Sequence, residues 1–83
     1  MEEQINDILL HNFDGAQVVN LGRNTTAERI PGTVLWEGFD GHDFLWRQNR
    51  IFRVLRRELG AQATIISHIF TYTPNEYEQM MAA

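Results

Sequence analysis

Two segments of the chain carry apolar residues at the spacing of an amphipathic helix. In the first segment, Ile5, Ile8 and Leu9 fall on one side of a helix that we predict over Glu2–His11. The acidic residues that open this segment suit the positive end of a helix dipole. The Asp14-Gly15 pair that follows predicts a turn, so this helix is short.

The second helix is predicted to begin after an N-cap, Asp40 or Asp43, and to end at Leu59, because Gly60 suits the position after a helix. At about 100° per residue, six apolar side chains share the face that we expect to be buried. They are Phe44, Leu45, Ile51, Phe52, Leu55 and Leu59. The opposite face carries Trp46, Arg50, Arg53 and Arg57. Gln48 lies within the apolar face, which predicts either a break in the helix or a local polar contact.

Residues that favour β-structure predict three strands, at Ala16–Gly22, Gly32–Glu37 and Ala63–Tyr72. The polar segment Arg23–Gly32 predicts an exposed loop, around which the first two strands could pair as an antiparallel hairpin. The third strand is almost continuously apolar or β-branched. That pattern is typical of a strand at the centre of a sheet or covered on both faces.

The last helix has the clearest start in the chain. Thr73 suits the N-cap, Pro74 the first helical position and Glu76 the third, which together make a capping box. The element order is therefore α-β-β-α-β-α. We expect a single α+β domain over residues 1–83, with a three-stranded sheet and the helices packed on one face.

Composition narrows the function classes. The chain of 83 residues has no cysteine, which excludes disulfides, zinc thiolates and a cysteine nucleophile. Its beginning lacks the basic start of a signal peptide, and no segment has the roughly 20 apolar residues of a membrane span, so we expect a soluble, cytoplasmic protein. The net charge of −4 argues against a domain dedicated to nucleic acid, because such domains are usually basic.

Catalytic and metal-binding patterns are absent from the sequence. His11, His42 and His68 are far apart, and none has a second ligand at the spacing of a metal site. Ser67 and His68 are neighbours in a predicted strand, so they are expected to point to opposite faces and not to act as a nucleophile and its base. We therefore expect neither an enzyme nor a bound cofactor.

The arginine-rich face of the second helix is the candidate functional surface. Trp46, Arg50, Arg53 and Arg57 combine residue types that are enriched at interface hot spots, and they suit an acidic protein partner. A solvated helix face, or one neutralised by the acids of the first helix, is the alternative interpretation. Nucleic-acid binding by the same arginines is a second functional hypothesis. Pairing through a short edge strand is a third, so both a monomer and a homodimer stay open.

The second half of the chain resembles the BolA-like proteins, which have a class II KH-like fold. In that family a strand ends in a Phe-x-Gly turn, and an arginine and spaced aliphatic residues follow in the next helix. Here these positions are Phe39, Gly41, Arg47, Ile51 and Leu55. The stretch Thr71–Tyr77 matches the start of the family's last helix.

The resemblance implies a partner of monothiol glutaredoxins in iron–sulfur cluster handling, or a transcription regulator. The residues that would bind a cluster do not match, however. Ile65 stands where the family has its ligand histidine, and His68 is three residues further along. The loop Arg23–Gly32 has neither histidine nor cysteine, and Gln48-Asn49 replaces the His-Arg of the helix signature. We therefore expect a small interaction or regulatory module, and an iron–sulfur or glutaredoxin partner protein stays an alternative.

Overall fold

The computed structural model describes residues 1–22 and 29–82. Three helices and three strands follow one another in the predicted order, and two short 3-10 helices, Glu37–Phe39 and Gly60–Ile65, connect them. The elements are α1 (Glu2–Asn12), β1 (Gln17–Val19), β2 (Ile30–Leu35), α2 (Phe44–Leu59), β3 (Ile66–Tyr72) and α3 (Pro74–Ala82). The last three residues of the predicted loop Arg23–Gly32 belong to β2, and residues 23–28 of that prediction lie outside the described ranges.

The three strands form one mixed sheet in the order β1-β2-β3. Strands β1 and β2 pair antiparallel, with Val18 opposite Val34, as the hairpin prediction required. Strand β3 runs parallel to β2, with Thr71 opposite Val34. The expectation that β3 is central or covered on both faces is wrong, because β2 is the middle strand and β3 lies at an edge.

A bulge in β3 explains why its apolar run was misleading. Ile30 pairs with Ile66 and Pro31 with His68, so Ser67 is the extra residue on β3. Ile66 and Ile69 are both buried although three positions separate them. Beyond the bulge, His68 and Phe70 are exposed on the other face of the sheet.

The core lies between the sheet and the layer formed by α1 and α2. Helix α1 contributes Ile5 and Leu9, and both are fully buried. The remaining buried members are Phe13, Ile30, Val34, Phe39, Ile51, Val54, Leu55, Leu59, Ala63, Ile66 and Ile69. These residues come from every element except β1 and α3, so a single core holds the sheet and the two long helices together.

Helix α2 is continuous over its 16 residues. The carboxylate of Asp43 accepts a hydrogen bond from the backbone N–H of Trp46 at 2.9 Å, so Asp43 and not Asp40 is the N-cap. The helix ends at Gly60, whose φ of +60° is a conformation that favours glycine. Gln48 does not break the helix, because its side-chain amide donates to the backbone carbonyl of Ile69 at 2.8 Å.

Two residues assigned to the buried face of α2 are exposed. Phe44 is 70% exposed and Leu45 is 64% exposed, whereas Val54, which the pattern left out, is buried. The helical period gives the direction of a side chain around the axis but not its position along the axis. Phe44 and Leu45 lie in the first turn, where Arg47 is the side chain that turns into the fold.

Helix α3 begins at the predicted capping box. The Glu76 N–H donates to Oγ1 of Thr73 at 3.1 Å, and the Thr73 N–H donates to Oε1 of Glu76 at 2.8 Å. In the described part of the chain, no helix is both long enough and apolar enough to cross a membrane.

Candidate functional site

Trp46 lies between two neighbours on the outer side of α2. The ring of His42 stacks on its indole with a centroid separation of 3.5 Å and an interplanar angle of 9°. The guanidinium of Arg50 lies 5.8 Å from the indole centroid, within the range of a cation–π contact. The indole is therefore held in one orientation from two sides, and it is half-buried.

Three of the four predicted site residues lie together. Trp46, Arg50 and Arg53 line a shallow depression of about 170 Å³ with Asn49. Among residues 1–22 and 29–82, neither Arg50 nor Arg53 forms an ion pair. Their positive charge is therefore not neutralised by the described part of the protein.

Arg57 is engaged elsewhere, although it shares the same helical face. Its guanidinium donates to Oδ1 of Asn12 at 2.8 Å and to the carboxylate of Glu58 at 3.2 Å. The acids of α1 do not neutralise the arginine face, because in the described ranges only Glu58 and Glu76 form ion pairs with arginine. Arg57 thus links α2 to α1 by way of an amide.

Arg47, which lies in α2, contacts the turn before this helix as well as β3 and α3. It is almost completely buried. Its side chain donates to the backbone carbonyls of His42 and Thr71 at 2.8 and 3.1 Å. It also forms a two-pronged ion pair with Glu76, at 2.7 and 3.1 Å. Its guanidinium lies 5.6 Å from the ring centroid of Phe39. The arginine that supported the family resemblance is therefore structural in this chain.

The ion pair shifts the pKa of both partners. The hydrogen bond from Arg47, helped by the backbone N–H of Thr73, lowers the pKa of Glu76 to about 2. The hydrogen bond with Glu76 raises the pKa of Arg47 despite its burial. Glu76 therefore both caps α3 and holds Arg47, and its ion pair with Arg47 requires the ionised form.

A second depression, of about 450 Å³, lies beside the Arg47–Glu76 pair. Its lining residues are His42, Phe44, Arg47, Thr71, Tyr72 and Glu76. Sequence reasoning missed this feature, because it assigned Phe44 to the core and gave Tyr72 no binding role. No sequence signal places α2 beside the end of β3, so only the fold brings these residues together.

The histidines do not converge with other metal ligands. In residues 1–22 and 29–82, no group of three His, Asp or Glu side chains could hold a metal ion. Ser67 and His68 are not on opposite faces as expected, because the bulge exposes both and brings Ser67 Oγ within 3.3 Å of His68 Nδ1. His68 contacts the ring of Phe70 at 4.8 Å, and no described carboxylate hydrogen-bonds to it, so the orienting third group of a catalytic triad is missing in these ranges.

The position expected for a cluster ligand is occupied by an aliphatic side chain. Ile65 ends the 3-10 helix that leads into β3, and it is half-buried against the core. His68 lies beyond the bulge on the open face of the sheet.

These elements define a small α+β domain, in which a mixed three-stranded sheet packs against two long helices. The structure is similar to the solved structure of a BolA protein homologue from Coxiella burnetii, with a TM-score of 0.73 and 21% sequence identity over 94% of this chain and 96% of that chain. The chain therefore has a BolA-like fold, as its sequence predicted. No family model matches the chain, and no curated protein matches it.

Proposed function

We propose that this protein is a non-catalytic interaction module that binds an acidic segment of a protein partner through Trp46, Arg50, Arg53 and Arg57. The proposal rests above all on two exposed guanidinium groups, Arg50 and Arg53, that have no ion-pair partner in the described ranges and lie beside a stacked indole. Arginine beside tryptophan is a combination enriched in the residues that dominate binding energy.

The four residues do not contribute equally. Arg50 and Arg53 are available to carboxylates, and Trp46 offers a rigid surface because His42 and Arg50 hold it in place. Two N–H groups of Arg57 are already occupied by Asn12 and Glu58, so fewer donors are left for a partner. We therefore expect Arg50 and Arg53 to carry most of the affinity and Arg57 the least.

The charges around the site favour a protein partner over nucleic acid. Asp40 and Asp43 lie close enough to Arg47 to raise its pKa, so the turn before α2 is locally acidic. A phosphate backbone that followed the arginines along α2 would meet these acids at the start of the helix. Together with the net charge of −4, this arrangement supports a partner with localised carboxylates.

Charge reversal tests the proposal. Partners captured from the native cell should bind the unmodified protein. They should not bind the triple variant that combines Arg50→Glu, Arg53→Glu and Arg57→Glu. Arg56→Glu is the matched control, because Arg56 is an exposed arginine of the same helix that lines another depression. Circular dichroism should be the same for all variants. Equal capture by the reversed and unmodified proteins would place the interaction elsewhere.

A titration with labelled oligonucleotides separates the nucleic-acid hypothesis from this proposal. Binding of single- or double-stranded DNA through these arginines would weaken steeply between low and moderate salt. We expect no saturable binding at either salt concentration. Tight, salt-dependent binding that Arg50→Glu abolishes would favour nucleic acid as the ligand.

A further inference from the structure

The depression beside Arg47 is suited to an apolar side chain. Phe44 and Tyr72 contribute aromatic walls, and Phe44 is 70% exposed although it is a large apolar residue. Exposed apolar surface of this kind, rimmed by polar groups, is typical of sites where another molecule binds.

The polar groups of Arg47 and Glu76 in this depression already have hydrogen-bond partners within the protein. The guanidinium of Arg47 donates to the carbonyls of His42 and Thr71 and to the carboxylate of Glu76. Its charge is balanced by Glu76, and the pair is fixed by four hydrogen bonds. A charged ligand group would gain little here, whereas an apolar group would cover Phe44 and Tyr72 without removing a partner from Arg47.

His42 joins this depression to the arginine site. Its ring stacks on Trp46, which lines the depression shared with Arg50 and Arg53, and His42 itself lines the depression that contains Phe44. Arg47 holds the backbone carbonyl of His42 at 2.8 Å, so the connecting residue is fixed in place. One extended ligand could therefore contact both depressions across the stacked pair of rings.

The two ends of this surface differ in charge. Its arginine end carries Arg50 and Arg53 without ion pairs in the described ranges, and its other end lies near Asp40 and Asp43. Carboxylates of a ligand are attracted to the first end and repelled from the second. An apolar group is accepted at the second end, because it carries no charge.

We propose that the depression lined by Phe44 and Tyr72 is an anchor subsite for the same partner, whose binding segment carries carboxylates followed, after a short spacer, by one large apolar side chain. This inference rests on the proposed function, because the carboxylates bind the arginine site. It adds an apolar side chain as a second recognised group of the partner. It also states that the carboxylates bind at the arginine end of the surface and the apolar side chain at the other end.

Two fluorescein-labelled synthetic peptides test the anchor subsite by fluorescence anisotropy. One carries glutamates only, and the other carries the same glutamates, a glycine–serine spacer and a leucine. We expect the leucine peptide to bind the unmodified protein roughly tenfold more tightly, as expected for a buried aliphatic side chain. Phe44→Ser should remove this gain and leave the affinity for the glutamate peptide unchanged.

Leu45→Ser is the matched control, because Leu45 is an exposed apolar residue in the same turn of α2 and does not line the depression. It should leave both affinities unchanged. If the leucine adds nothing, or if its gain survives Phe44→Ser, the anchor subsite is wrong. If the glutamate peptide does not bind, or binds equally to the Arg50→Glu, Arg53→Glu double variant, the proposed function itself is wrong.

Discussion

At the scale of single residues, Arg47 and Glu76 hold together parts of the chain that are far apart in sequence. Arg47 contacts the turn before α2, the end of β3 and the first turn of α3, and of its hydrogen-bond partners in the described ranges only Glu76 carries a charge. Two of its four hydrogen bonds end on backbone carbonyls, and the other two end on the carboxylate of Glu76. The pair therefore determines where α2 and α3 meet, which is also where the anchor depression lies.

Arg47→Lys tests the importance of the guanidinium geometry. An ammonium group keeps the charge but cannot reach two backbone carbonyls and both oxygens of Glu76, so we expect a loss of about 2 kcal/mol in the free energy of unfolding. Urea denaturation followed by circular dichroism measures it. Arg53→Lys, at an exposed position without an ion pair in the described ranges, should change the value by less than about 0.5 kcal/mol. Equal effects of the two variants would contradict the structural role of Arg47.

The pKa of Glu76 predicts how stability depends on pH. Since the folded state lowers this pKa from 4.5 to about 2, the unfolded state binds the proton first as the pH falls. The stabilisation by Glu76 should be complete above pH 4.5 and should be lost as the pH falls towards 2. In urea titrations across this range, the difference between the unmodified protein and Glu76→Gln should shrink steadily.

Glu78→Gln is the control for this pH dependence, because it removes a carboxylate from the same helix without affecting Arg47. Its difference from the unmodified protein should not follow the same course. A constant difference for Glu76→Gln down to pH 2 would show that the ion pair does not depend on the ionised carboxylate.

At the scale of elements, α2 both covers the core and closes the free edge of β3. The outward-facing carbonyls of Ile69 and Thr71 accept hydrogen bonds from Gln48 and Arg47. A free edge strand can pair with another chain, and side chains that occupy its carbonyls discourage such pairing. We therefore predict that β3 does not pair with a second copy of the chain; β1, the other edge strand, is three residues long.

Gln48→Met tests this closure, because methionine keeps the length of the side chain but donates no hydrogen bond. We expect a loss of about 1 kcal/mol in the free energy of unfolding from the unsatisfied carbonyl of Ile69. Analytical ultracentrifugation should also detect more self-association than in the unmodified protein. Gln79→Met, on an exposed position of α3, should have neither effect. An unchanged stability in Gln48→Met would mean that water replaces the amide at no cost.

The sequence predicted the elements better than their environment. The capping box at Thr73 depends on neighbours within a few residues and is confirmed, and of the two predicted N-caps of α2, Asp40 and Asp43, the structure shows Asp43. The expectations that Phe44 is buried and that β3 is a central or doubly covered strand were wrong. Both depend on packing between distant segments. Local hydrogen bonds can be read from local sequence, whereas burial is a property of the whole fold.

At the scale of the whole molecule, one core lies on one side of the sheet and the other side is open. Phe39 is fully buried in that core, whereas Phe70 is 49% exposed on the open face. The two phenylalanines are thus chemically alike and differ in their surroundings. The layered architecture predicts very different consequences when either of them is truncated.

Phe39→Ala should cost about 3–5 kcal/mol, which is a large part of the roughly 4–12 kcal/mol expected for a domain of this size. Phe70→Ala should cost about 1 kcal/mol or less, because about half of this residue is already exposed to water in the folded protein. Thermal and urea unfolding of the two variants measure this contrast. Similar losses would mean that the open face of the sheet is covered in the folded protein.

For the candidate site, the sequence alone placed Trp46, Arg50, Arg53 and Arg57 on one helical face, because their spacing is set by the helix itself. The sequence likewise determined the order of elements and the capping box at the start of α3. Only the tertiary structure engaged Arg57 with Asn12 and placed Phe44 beside Tyr72. These contacts join segments that no periodicity relates, since they arise from the packing of α2 against α1 and β3.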